Sequence, residues 1–257
     1  MYKRQTGESV ATLSPVEART PECALGDDGR SVVVYTVFAR VFAVRRTPDG
    51  WAPRVRLGLH AEPPLVAVDD AGDAAAVWSS LGEGGTFRPQ ASTAGSDAAW
   101  TMAETLDTVD PDSTSEPVVA MTPQGHATVA WVRSDRTVVA SDHDPGGSWS
   151  TPTAVSTTMT AVIAGAPRLA LSSGRNGALL LTWQDTRETP EEILKSVRGA
   201  YRPGGGAWQE PVRLSPEHVM LSEAATAVGR GGRAVASWTA YDRAYGLYRI
   251  QVRVRAR

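Results

Sequence analysis

The sequence predicts an all-β fold, a β-propeller of four-stranded antiparallel blades with five blades visible, and three observations carry that prediction. A short apolar strand, a glycine, a second apolar strand and an aromatic recur five times, with the aromatic always six residues after the glycine. A second phrase, a Trp followed six residues later by an aliphatic, comes after each of the first four copies. Helical stretches are nearly absent: the best candidate, Pro190–Lys195, is only about one and a half turns. Periods of roughly 40–50 residues holding four strands each are the mark of blades arranged around an axis.

The units follow in order. The first runs Cys23-Ala24-Leu25, Gly29, Tyr35; the second Leu65–Val68, Gly72, Trp78; the third Val118–Met121, Gly125, Trp131. The fourth runs Leu169–Leu171, Gly177, Trp183, and the fifth Ala225–Val228, Gly232, Trp238. In each, a strand a turns at the glycine into a strand b that ends near the aromatic. The closing phrases are Trp51…Leu57-Gly58, Trp100…Leu106-Asp107, Trp149…Val155-Ser156 and Trp208…Leu214-Ser215, and they lead from strand c into strand d. The b–c loops are expected at Ser79–Gly85, Val132–Asp135, Gln184–Glu192 and Thr239–Gly246. The d–a loops are expected at Gly58–Pro64, Asp107–Pro117, Ser156–Pro167 and Ser215–Glu223.

In the last strand Ile250, Val252 and Val254 alternate with Gln251, Arg253 and Arg255, the period of two of a half-buried strand. The fifth unit stops without a closing phrase, whereas Leu13-Ser14-Pro15 repeats Leu214-Ser215-Pro216. The N-terminal strand Ser9–Ser14 is therefore expected to complete the last blade, or to be strand d of a further, preceding one. One such sheet cannot bury both faces by itself; radial stacking buries them. Tyr35, Trp78, Trp131, Trp183 and Trp238 are accordingly expected between neighbouring blades. A β-sandwich is the alternative, and it gives no reason for the fixed spacing.

Composition excludes several classes. With 26 basic and 28 acidic residues the net charge is −2, which is not a basic nucleic-acid footprint, and no nucleic-acid partner is expected. A hydrophobic share of 42% with 21% charged residues is a globular balance. The longest apolar run, Ser31–Val44, is broken by Arg40 and too short to span a bilayer. Cys23 is the only cysteine, so there is no internal disulfide and no Cys-based zinc site. No HExxH, GxSxG or phosphate-cradling motif is present, and neither a cofactor nor a metal is expected. Residues 1–5 (MYKRQ) back-translate to GTG TAT AAG AGA CAG, the end of a transposase sequencing adapter. They are set apart, leaving one domain over residues 6–257 that is expected to be shortened at its N-terminus.

Asp144-Pro145-Gly146-Gly147-Ser148-Trp149 resembles the Asp-box, the D-x-G-x-[ST]-W hairpin of the sialidase-like (BNR-repeat) bacterial propellers, and Tyr201–Trp208 is a degenerate copy without the Asp. The resemblance implies a structural hairpin on the c–d turns, its carboxylate accepting backbone N–H groups and its Trp packed below. Across the chain the phrases P-x-[LV]-A-[VL] … G-x-x-x-x-x-W and G-G-x-W-x-x-P-x-x-L-S, which cover nearly all of residues 6–257, resemble uncharacterised secreted propeller repeats of high-GC bacteria. The catalytic residues of that family do not carry over: there is no Arg-Ile-Pro motif, and Arg168 is a lone candidate for an arginine of the family's triad.

In such a fold the b–c and d–a loops share one face, where ligands bind. Those loops concentrate Arg133, Asp135, Asp185, Arg187, Tyr241, Asp242, Arg243 and Tyr245. Aromatic planes beside carboxylates and guanidinium groups suit a carbohydrate. An Asp recurs shortly after Trp131, Trp183 and Trp238, which favours a loop-pinning role for Asp135, Asp185 and Asp242. Tyr241 and Tyr245 are unique to the last unit. Asp69-Asp70-Ala71-Gly72-Asp73 could be read as a calcium loop, but it falls where a plain hairpin turn is expected. Asp107, Asp110, Asp112 and Glu116 could instead serve a glycosidase. The expectation is a monomeric, secreted or cell-surface module binding a glycan or protein without catalysis. A sialidase-like hydrolase and a structural arc of a larger propeller are the alternatives.

Overall fold

A computed structural model describes residues 11–14, 17–47, 49–59, 61–82, 85–109, 115–156, 168–222 and 224–255. They form twenty strands and no helix. Blade 1 comprises β1 (Ala18–Leu25), β2 (Ser31–Val37), β3 (Arg40–Thr47), β4 (Gly50–Trp51) and β5 (Val55–Leu59), with β4 and β5 both paired to β3. Blade 2 is β6 (Leu65–Val68), β7 (Ala74–Leu81), β8 (Phe87–Ala94) and β9 (Glu104–Thr105). Blade 3 is β10 (Val118–Met121), β11 (Ala127–Val132), β12 (Val138–His143) and β13 (Thr153–Ala154). Blade 4 is β14 (Leu169–Ser173), β15 (Leu179–Glu188), β16 (Ile193–Arg202) and β17 (Val212–Arg213), and blade 5 is β18 (Ala225–Val228), β19 (Ala234–Asp242) and β20 (Leu247–Arg255). Each blade is an antiparallel meander, and β1, β6, β10, β14 and β18 lie side by side in that order.

The repeat glycine has one conformational reason. Gly29, Gly72, Gly125, Gly177 and Gly232 all have φ between 75° and 86°, where a Cβ is strained. Each donates its N–H to the carbonyl three residues back, closing the same turn five times. From that fixed start the strand alternates. Residues two, four and six beyond the glycine face the preceding blade, as Ala74, Ala76 and Trp78 do against Val32, Val34, Val41, Ala43 and Leu57 of blade 1. The intervening residues face forward: Val77 packs on Trp131, and Leu180 on Trp238. The four large cores are thus the four blade–blade interfaces. Trp78, Trp131, Trp183 and Trp238 are at most 4% exposed and Tyr35 2%.

The closing aliphatics meet those aromatics one by one: Leu57 with Trp78, Leu106 with Trp131, Val155 with Trp183 and Leu214 with Trp238. The residue after each has its own task. Ser156 and Ser215 accept the backbone N–H of Val138 and Val197 at 3.2 and 2.8 Å, which ties strand d back to strand c. A Cβ at Gly58 would lie 2.8 Å from the indole of Trp78. Leu13 takes the same place against Tyr35, whose hydroxyl donates to its carbonyl at 3.1 Å. Ser9 and Val10 of the segment expected to complete blade 5 lie outside the described residues; Ala11–Ser14 form no strand, and blade 5 has three strands among the described residues. β18 does not flank β1 as the other inner strands flank one another.

Two expectations need correction. Pro190–Lys195 is not helical: Thr189 donates to the Glu192 carbonyl, making a tight turn, and β16 begins at Ile193. The b–c segments of blades 2, 4 and 5 begin as strand. β7 runs to Leu81, β15 to Glu188 and β19 to Asp242, because the ladder continues past the blade core; in β15 Asp185 and Thr186 are still buried, and Arg187 and Glu188 face water.

Candidate functional site

The structure sorts the candidate residues by what they touch. Asp135 accepts the N–H of Thr137 at 2.8 Å and pins its own turn. Arg133 reaches the fully buried Asp107 at 2.6 Å, joining a b–c turn to a d–a loop. Asp185 is buried in β15 and pairs with Arg198 across the hairpin at 3.2 Å. Asp69 accepts the N–H groups of Ala71 and Asp73 at 2.9 and 2.8 Å, so the Asp69–Asp73 segment is a hydrogen-bonded turn; burial pushes the Asp69 carboxyl up. Asp110 and Asp112 lie outside the described residues, and Glu116 is exposed.

The Asp-box expectation changes in its chemistry. The Asp144 carboxylate is exposed and meets His126 Nδ1 at 2.8 Å; the backbone carbonyl of Asp144, not its side chain, accepts the Gly147 N–H. Proline at 145 and two glycines already set this turn, leaving the carboxylate free to swing outward. Trp149 does pack inward, tilted on His143 with ring centroids 5.0 Å apart.

The remaining candidates converge. Tyr241, Asp242 and Arg243 line a cavity of about 380 Å³ between blades 4 and 5, together with Glu192, Leu194, Glu217, His218, Val219 and Gln251. Three elements build it. The β15–β16 hairpin supplies Glu192 and Leu194, the segment after β17 supplies Glu217, His218 and Val219, and the β19–β20 hairpin supplies Tyr241, Asp242, Arg243 and Gln251. His218 is held by two backbone hydrogen bonds to Lys195, at 2.7 and 2.8 Å. Tyr241 is held by its N–H on the Met220 carbonyl and by its ring 5.2 Å from that of Tyr248. Tyr245 stands at the exposed tip of the hairpin, with the Arg249 guanidinium 4.3 Å from its ring centroid.

Charge in the cavity is matched. Arg243 pairs with Glu192, and Arg249 with Asp242 at 3.1 Å. Arg187 grips Glu217 with two donors, Nε at 3.0 Å, while Arg213 approaches it at 3.4 Å. The hydrogen bond from Arg187 holds the Glu217 carboxyl below the usual carboxylate range. Gln251 Oε1 accepts the indole N–H of Trp238 at 2.8 Å, so its amide NH₂ is the end left to donate. Glu192, Glu217, His218 and Gln251 were not singled out from sequence. Glu192, Glu217 and His218 lie in loops that sequence located; a Trp–Gln pair also occurs in blade 2, where Trp78 donates to Gln90 at 3.1 Å. Among the described residues no cluster of metal-ligating side chains occurs, and no helix is long and apolar enough to cross a membrane.

The sequence matches no protein-family model and no curated protein. Solved structures do resemble this fold. An α-L-arabinanase of Penicillium chrysogenum, complexed with arabinobiose, is 11% identical over 89% of this chain and 78% of its own, with a TM-score of 0.51. A GH93 α-L-arabinofuranosidase of Fusarium graminearum, also with arabinobiose, is 10% identical over 91% and 80%, with a TM-score of 0.50. The Aleuria aurantia lectin, in complex with α-methyl-L-fucoside, is 12% identical over 88% and 73%, with a TM-score of 0.52. At these identities the likeness is one of fold.

Proposed function

We propose that this chain is a secreted or cell-surface β-propeller that binds a glycan, without catalysis, in the cavity between blades 4 and 5. One observation carries the reading: a cavity of about 380 Å³ lined by a tyrosine, carboxylates, a guanidinium and an amide, on the face where the b–c and d–a segments gather. An aromatic plane with a few convergent polar groups is how a sugar is held. The fold likeness to a fucoside-bound lectin and to arabinan-type glycosidases supports a glycan as the ligand class. The test is a glycan array probed with wild type, Tyr241→Ala and Arg243→Ala. Wild type binds, and each variant loses about tenfold or more in affinity, which is about 1.4 kcal/mol. An array on which nothing binds, or variants that bind as wild type does, overturns the site.

A glycoside hydrolase is the second reading, favoured by the glycosidase neighbours. Asp107 does not serve it, being buried and bound to Arg133. Turnover of an aryl glycoside that Glu116→Gln abolishes would establish this reading in place of the first.

A further inference from the structure

We infer that the cavity between blades 4 and 5 takes an uncharged sugar and excludes sialic and uronic acids; the inference rests on the glycan-binding reading. An acidic sugar needs a cation free to receive its carboxylate. Among the described residues lining the cavity, Arg243 is the one permanent cation, and Glu192 already holds it. Glu217 and Asp242 also line the cavity, and their partners Arg187 and Arg249 are engaged with them. An incoming carboxylate would meet three others and no unclaimed guanidinium, and like charges so placed disfavour binding.

Neutral hydroxyls meet the opposite situation. The carboxylate of Glu192 contacts Arg243 through Oε2, leaving Oε1 to accept a sugar O–H. Trp238 fixes the Gln251 amide so that its NH₂ points its donors away from the indole, ready for a sugar oxygen. Acceptor and donor line one cavity, as two hydroxyls of a single neutral ring require. In blade 2 the equivalent amide, that of Gln90, turns instead to Thr105 of the fourth strand at 3.5 Å. In blade 5 the Gln251 side chain lines the cavity.

The test compares neutral methyl glycosides (pentosides, hexosides and deoxyhexosides) with the glycosides of sialic and glucuronic acid, by calorimetry on the whole chain. Wild type binds at least one neutral glycoside about tenfold more tightly than any acidic one. Glu192→Gln keeps the turn, since Thr189 bonds the backbone at 192, and it releases Arg243. That variant gains about tenfold toward the acidic glycosides and loses affinity for the neutral one. A wild type preferring acidic glycosides overturns this inference while leaving glycan binding intact, and so does Glu192→Gln with unchanged discrimination. Binding of neither class overturns this inference and the reading beneath it.

Discussion

At the scale of single residues, the interfaces are decided by how each buried indole is satisfied. Trp78 and Trp238 donate to the glutamines across the b–c ladder, Gln90 and Gln251. Trp131 and Trp183 face Val139 and Arg198 in the same register, and their indole N–H groups have no partner among the described residues. Hydrophobic contact alone therefore holds two of the four. For blade 2 the hydrogen bond is an added contribution that can be measured. Gln90→Leu leaves the Trp78 N–H buried and unmade, costing about 1–3 kcal/mol in urea unfolding. A loss under about 0.5 kcal/mol would mean that the indole needs no acceptor there.

At the scale of elements, turns explain what could and could not be read in advance. The a–b turns were legible because a positive φ demands glycine, and that demand leaves a mark every 43 to 55 residues. The β2–β3 turn left no such mark. Phe38 and Ala39 both adopt positive φ, 49° and 56°, with the phenyl ring exposed. A two-residue hairpin of this hand favours Asn-Gly, and a non-glycine residue there costs about 1–2 kcal/mol. The double variant Phe38→Asn, Ala39→Gly should raise unfolding stability by about 1–2 kcal/mol; a loss would show that the Phe38 ring contributes more than the backbone strain removes. The long b–c hairpins were read as loops for a similar reason. Asp185, Arg187, Tyr241 and Asp242 are polar at every other step or at consecutive ones, and nothing local distinguishes a strand that extends beyond its core from a loop. Ladder pairing from Asp185↔Ser196 to Glu188↔Ile193 makes the difference, and it depends on the partner strand.

At the scale of the whole molecule, the arc is held from both ends of its blades. On the a–b turn face Arg175 of blade 4 pairs with Asp27 of blade 1 and with Asp70 of blade 2, the latter at 3.0 Å, spanning the axis. On the opposite face the cavity between blades 4 and 5 draws Glu192, Glu217, Arg243 and Gln251 from segments up to 59 residues apart. That gathering explains why the blades were legible and the site only half so. Tyr241 is unique to the last unit and stands out for it, whereas Gln251 acquires its meaning from the indole it faces and from the blade stacked beside it.

The most direct measurement is amide hydrogen exchange of the whole chain with and without a bound neutral glycoside. The account predicts new protection at Glu192, at Glu217–Val219, from Ala240 through Ala244 and at Gln251, the residues that line the cavity. Protection confined to the 107–117 loop and the axis, with those segments unchanged, would contradict it.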